Sequence, residues 1–111
     1  MKLENKIAII TGGAMGIGKG IVEVYLKYGA NVIVLDYNEA LNNTLTELNT
    51  KYPSKINGYI VDISKKEVLE ACLKEIEKSY NHIDIIVNNA GVCNLNTFEN
   101  MSDEERDFHF N

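Results

Sequence analysis

The sequence predicts an α/β fold in which a parallel sheet carries helices on both faces, a three-layer α/β/α arrangement. Two observations predict it. Short β-branched runs without a helical stripe alternate with segments whose apolar residues fall at helical spacing, giving β-α-β-α-β-α-β and the start of one more helix. The connections are short, so each helix crosses back over the sheet to a parallel neighbour.

The elements follow in order. KIAIIT (Lys6–Thr11) has no polar face, the mark of a strand covered on both sides. From Ile17 the apolar positions Ile17, Ile21, Val22, Tyr25 and Leu26 trace a helix, and Gly29 supplies its stop. NVIVLD (Asn31–Asp36) is a second buried strand. Asn38 is a candidate cap for a helix with the stripe Leu41, Leu45, Leu48 and Tyr52, ended by Pro53. INGYIVDI (Ile56–Ile63) is a third strand. Ser64-Lys65-Lys66-Glu67 reads as a capping box, with Val68, Cys72, Ile76 and Tyr80 on one face of the helix after it. IDIIVNNAG (Ile83–Gly91) begins as a fourth strand and ends in a turn. Ser102-Asp103-Glu104-Glu105 is a second capping box, opening a helix that has little room before Asn111.

Composition narrows the function classes. The 111 residues fit one domain, with 45% hydrophobic and 24% charged residues and a formal net charge of −5. A net acidic chain argues against nucleic acid or an anionic membrane as partner, although backbone amides bind a small anion without net positive charge. No apolar run reaches a membrane span, and the N-terminus lacks the features of a signal peptide. Cys72 and Cys93 have no metal or redox spacing and read as reduced thiols of a cytoplasmic protein.

The chemistry centres on TGGAMGIG (Thr11–Gly18), between the first strand and the first helix. Gly12 lets the chain turn off the strand, Gly16 lets backbone approach a ligand, and Gly18 lets the helix pack closely on the sheet. The helix N-terminus offers unpaired N–H groups and a positive dipole end, suited to a pyrophosphate. The spacing is G-x-x-x-G-x-G, which departs from G-x-G-x-x-G and is not a phosphate loop of the Gly-Lys-Ser/Thr type. A tight turn without a ligand is the plain alternative. Asp36 ends the second strand 18 residues beyond Gly18, near the offset at which an acidic side chain meets a ribose hydroxyl.

TGGAMGIG, Asp36, VDIS at Val61–Ser64 and NNAG at Asn88–Gly91 together resemble the short-chain dehydrogenase/reductase family, in order and over essentially the whole chain. The resemblance implies a Rossmann-type sheet of order 3-2-1-4, a nicotinamide cofactor, and hydride transfer on an alcohol or ketone. It implies that Gly12, Met15, Gly16, Ile17 and Gly18 run along the pyrophosphate and nicotinamide ribose, with Thr11 bracing the turn. Asp36, with Tyr37 beside it, takes the adenosine ribose. Asp62 meets adenine through its carboxylate and Ile63 through backbone. Asn89, Ala90 and Gly91 line the cofactor, and Asn88 helps hold the sheet.

NAD is expected over NADP. A carboxylate at Asp36 accepts hydrogen bonds from hydroxyls but repels a 2′-phosphate, and the positions where NADP users place a cation hold Met15 and Tyr37. Lys19 lies past the glycines and reads as a solvated helix residue.

The family's tyrosine–lysine pair is not found. None of the six tyrosines has a lysine four residues on. The resemblance puts the catalytic asparagine just past Asn111, which is itself the nearest candidate. The expectation is therefore a single truncated Rossmann-type NAD(P)-binding domain over residues 1–111, cut before the second half of the fold and inactive alone. It would self-associate through the open edge of the fourth strand or its C-terminal segment. The alternatives are a non-catalytic nucleotide-binding module and an assembly fragment that binds nothing. His82 and His109 lack partners at metal-ligand spacing, so no metal is expected.

Overall fold

A computed structural model of the chain describes residues 2–90. Its elements are β1 (Ile7–Thr11), α1 (Gly16–Lys27), β2 (Asn31–Asp36), α2 (Leu41–Lys51), β3 (Ile56–Ile60), α3 (Lys66–Ser79) and β4 (Ile85–Asn88). The strands form one parallel sheet in the order β3-β2-β1-β4. That is the expected order.

Alternation along the strands divides the core in two. Ile7, Ile9, Ile33, Leu35 and Ile86 face α3, where Leu69, Cys72, Leu73 and Ile76 cover them. Ile10, Val32, Val34 and Val87 face the opposite way and are covered by Val22 and Leu26 of α1 and Leu41 and Leu48 of α2. β1 and the middle of β2 are buried on both faces, which accounts for their uninterrupted apolar runs.

The stop at Gly29 forms as expected. Gly29 N–H donates to the Leu26 carbonyl at 3.0 Å and Ala30 N–H to the Tyr25 carbonyl at 3.1 Å, the paired bonds of a Schellman closure.

Several local expectations are corrected. β3 ends at Ile60 rather than Ile63, where the Val61 N–H still donates to the Asp36 carbonyl at 2.9 Å before the chain turns away. The Ser64 capping box does not form: the Ser64 hydroxyl donates to Asp62 Oδ1 at 2.6 Å, and α3 starts at Lys66 without a side-chain cap. α3 buries Leu69, Cys72, Leu73 and Ile76, while Val68 is exposed. Asn38 bonds the Ala40 N–H at 2.8 Å in a turn ahead of α2, which begins three residues later at Leu41. Ile17 is left out of the α1 core face, with 81% of its surface exposed.

Candidate functional site

Because the sheet is parallel, the carboxyl ends of its strands share one edge, and Thr11, Asp36 and Asn88 lie along it. β2 and β3 are added on one side of β1 and β4 on the other. The crossovers therefore separate beside β1, and a crevice opens at that point of the edge. The glycine-rich segment crosses it.

Gly12 and Gly16 adopt φ of +71° and +63°, a region that L side chains enter at a cost, so both positions need glycine. A Cβ on Gly16 would meet nothing within 4 Å, so its outer face is open to a ligand. The packing role expected of Gly18 is shared between two residues. A Cβ on Gly13 would come within 2.7 Å of Val34 Cγ1 and 2.8 Å of Val22 Cγ2, so Gly13 lets the loop lie between α1 and the sheet. A Cβ on Gly18 would overlap the Gly12 carbonyl oxygen and come within 2.6 Å of Asn89 Nδ2, so Gly18 lets α1 start directly against the Gly12 turn.

Three of the residues from NNAG tie the turn to β4. Asn89 Nδ2 donates to the Gly12 carbonyl at 3.1 Å. The Thr11 hydroxyl, fully buried, has Asn88 Oδ1 as acceptor at 3.1 Å and accepts the Ala90 N–H at 3.2 Å. Thr11 and Asn88 thus brace β1 against β4. Gly91 lies outside the described residues, as do Cys93, His109 and Asn111.

Asp36 ties the other side. Its Oδ2 accepts the Ala14 N–H at 3.0 Å and its Oδ1 the Asn38 N–H at 3.0 Å. Each oxygen keeps a further lone pair. The Ala14 carbonyl accepts the hydroxyl of Thr44 on α2. Met15 and Tyr37 stand exposed at the rim, and Asn38 Nδ2 lies 4.0 Å from the Met15 sulfur.

Gly12, Asp36, Tyr37, Asp62, Ile63 and Ala90 line one cavity of about 440 Å³, together with Leu35 and Ser64. The first six were expected at the site. Met15, Gly16, Ile17, Gly18 and Asn89 belong to the crossing at its side. The Ser64 hydroxyl and then the Ser64 N–H, both donating to Asp62 Oδ1, hold the Asp62 carboxyl below its usual range. Leu35 and Ser64 were missed, as were Ala14 and Thr44. In the sequence Ser64 reads as a helix cap, and Thr44 sits at a core-facing position that apolar counting skips.

Lys19, expected to be a solvated helix residue, makes an exposed ion pair with Glu47 of α2 at 2.9 Å, and this pairing lowers the Glu47 pKa. Among the described residues, no lysine or arginine lines the cavity. Among the described residues no group of His, Cys, Asp and Glu could hold a metal ion, and no helix is long and apolar enough to cross a membrane. His82 pairs with Asp84 at 3.0 Å; Asp84 also accepts the Ile7 N–H, which places the pair at the amino end of β1, across the sheet from the crevice.

The fold and crevice define a Rossmann-like protein with a glycine-rich crossing at the switch point of its sheet. The short chain dehydrogenase family profile matches residues 6–111, and the chain belongs to that family. It is 39% identical over 108 residues to oxidoreductase UcpA of Escherichia coli K12, covering 97% of this chain and 41% of the relative. It is 39% identical over 102 residues to an NAD-dependent glycerol dehydrogenase of Listeria innocua, covering 92% of this chain and 39% of the relative. Among solved structures it resembles the Pseudomonas aeruginosa RhlG/NADP active-site complex, with a TM-score of 0.70 and 29% identity over 77% of this chain and 33% of that one. The chain therefore spans about two fifths of the length of the curated relatives it matches.

Proposed function

We propose that this chain is the NAD-binding part of an oxidoreductase that moves hydride between a nicotinamide and an alcohol or ketone. The observation that carries the reading is one cavity lined by both the Gly12 turn and Asp36, with the open face of Gly16 on the crossing at its side. These residues fit a dinucleotide. The amides at the start of α1 suit a pyrophosphate, Asp36 has lone pairs left for ribose hydroxyls, and Asp62 with Ile63 lines the cavity where a flat base would enter. When bound, the nicotinamide supplies the hydride acceptor or donor. The chain's own part is to bind and orient it. Asn89 and Thr11 keep the Gly12 turn against β4, and Asp36 keeps Ala14 against β2.

NAD is the preferred cofactor in this reading. A 2′-phosphate would lie beside the Asp36 carboxylate, the cavity lining offers no cation among the described residues, and Lys19 is held by Glu47. Proton transfer to substrate needs groups that are not among the described residues of this site, and the 111-residue chain is expected to bind cofactor without turnover. It is placed in the cytoplasm, a reading supported by the free buried thiol of Cys72. Self-association is supported by β4, which pairs only with β1 among the described residues. Sedimentation velocity checks it: a concentration-independent monomer would remove this part of the proposal.

An NADH fluorescence titration with NADPH as control tests the main reading. Saturable NADH binding with NADPH at least tenfold weaker is expected. Equal binding would remove the NAD preference, and no binding of either would remove the site.

A further inference from the structure

Thr44 ties the glycine-rich crossing to helix α2. It is one of two buried polar side chains among the described residues, the other being Thr11. It occupies the core face of α2 between Leu41 and Leu48. Valine has nearly the same shape, fits such a position, and carries no hydroxyl to desolvate. What threonine adds is one hydrogen bond, from its hydroxyl to the Ala14 carbonyl.

Ala14 is buried, and both of its backbone groups are taken by side chains from elsewhere. Its N–H goes to Asp36 Oδ2 and its carbonyl to Thr44. Helix α1 starts two residues later at Gly16 and does not use that carbonyl. In a trans peptide the carbonyl of one residue and the N–H of the next point in opposite directions. Drawing the Ala14 carbonyl toward α2 therefore turns the Met15 N–H away from α2, and that N–H has no acceptor among the described residues.

We infer that Thr44 is a positioning residue: it fixes the Ala14–Met15 peptide so that the Met15 N–H is presented to an anionic ligand group, a pyrophosphate oxygen. This deepens, and rests on, the dinucleotide reading above. It also links α2 to affinity, since Asp36 and Thr44 clamp the same residue from two elements.

Thr44→Val and Thr44→Ser in the full chain test it, with amide hydrogen exchange and NADH titration as readouts. Losing the bond in Thr44→Val is expected to weaken NADH binding about tenfold. Exchange of the Ala14 amide should rise by a similar factor, with β1 and β2 amides unchanged. Thr44→Ser, which keeps the hydroxyl, restores both. Unchanged loop exchange and affinity in Thr44→Val would overturn the inference. So would a uniform rise across the sheet, which marks a merely structural role. If Thr44→Val does not fold, Thr44→Ala is read the same way. Should the parent chain fail to bind NADH, the dinucleotide reading falls, and the selective change at Ala14 still decides whether Thr44 holds the loop.

Discussion

Replacing Gly18 by alanine sets two effects of opposite sign against each other. Gly18 lies in the first turn of α1, and glycine-to-alanine in a helix ordinarily stabilises by about 1 kcal/mol. Here the added Cβ would overlap the Gly12 carbonyl oxygen and stand 2.8 Å from the Gly12 carbonyl carbon and 2.6 Å from Asn89 Nδ2. Two of these three atoms are backbone and cannot swing aside as a flexible side chain can. Either α1 shifts away from the Gly12 turn or the turn is pushed into β4. Forcing a methyl into a packed site costs about 1–3 kcal/mol. The Asn89–Gly12 hydrogen bond, worth about 1 kcal/mol, is lost with it. Net of the helix gain, Gly18→Ala is expected to destabilise by about 2 kcal/mol. Urea unfolding followed by far-ultraviolet circular dichroism reads this directly, and for a domain of this size the thermal midpoint should fall by roughly 8 °C or more. An unchanged or raised midpoint would refute the packing argument.

Further outcomes follow from the site and from the buried thiol. Asp36→Ala should weaken NADH binding at least tenfold and narrow the gap to NADPH, checked by parallel titrations; an unchanged ratio would contradict the role given to the carboxylate. Ser64→Ala should raise the Asp62 pKa toward the ordinary aspartate value, read by NMR titration. In the parent chain the Asp62 carboxylate is favoured by folding. Its contribution is complete above the unfolded aspartate range of about pH 4 and is lost as pH falls through the lowered value. Burial raises the Cys72 thiol to about 11. Cys72 should therefore resist alkylation at pH 8 in the folded chain and react fully in denaturant, with cleavage and mass mapping to locate the label. Stability should fall as pH rises from about 8.5, where an unfolded thiol ionises, toward that value.

The layer architecture was legible because burial on both faces leaves a plain mark. β1 and β2 have no polar side to disguise. Boundaries were less legible where polar side chains compete for the same groups. Ser64 looks like a helix cap until Asp62, two residues before it, takes its hydroxyl, and that contest shortens β3 and delays α3 together. On α3 the expected Cys72 and Ile76 are buried and Tyr80 packs against the same core, but Val68 is exposed, because a stripe stepping by four drifts about 40° around a helix at each step. Leu69 and Leu73 complete the buried side.

At the site, the glycine spacing and Asp36 point to residues that the fold brings beside one crevice. Gly12, Asp36, Tyr37, Asp62, Ile63 and Ala90 meet in one cavity although they come from four parts of the chain. Sequence spacing could not divide the packing work between Gly13 and Gly18, since which neighbour each meets depends on how α1 crosses the sheet. Thr44 was missed for a related reason. A threonine between two leucines of a core stripe looks like a neutral surface residue until its acceptor, thirty residues earlier, is known.

In the proposed function, the crossing from Gly12 to Gly18 and the Asp36 carboxylate form one cofactor site. The most direct test is an amide NMR titration of the isotope-labelled chain with NADH. Saturable shifts are expected at Ala14, Met15, Gly16, Ile17, Tyr37 and Ile63, with the amides around His82 unmoved. Saturable shifts centred elsewhere, or none at millimolar NADH, would contradict it.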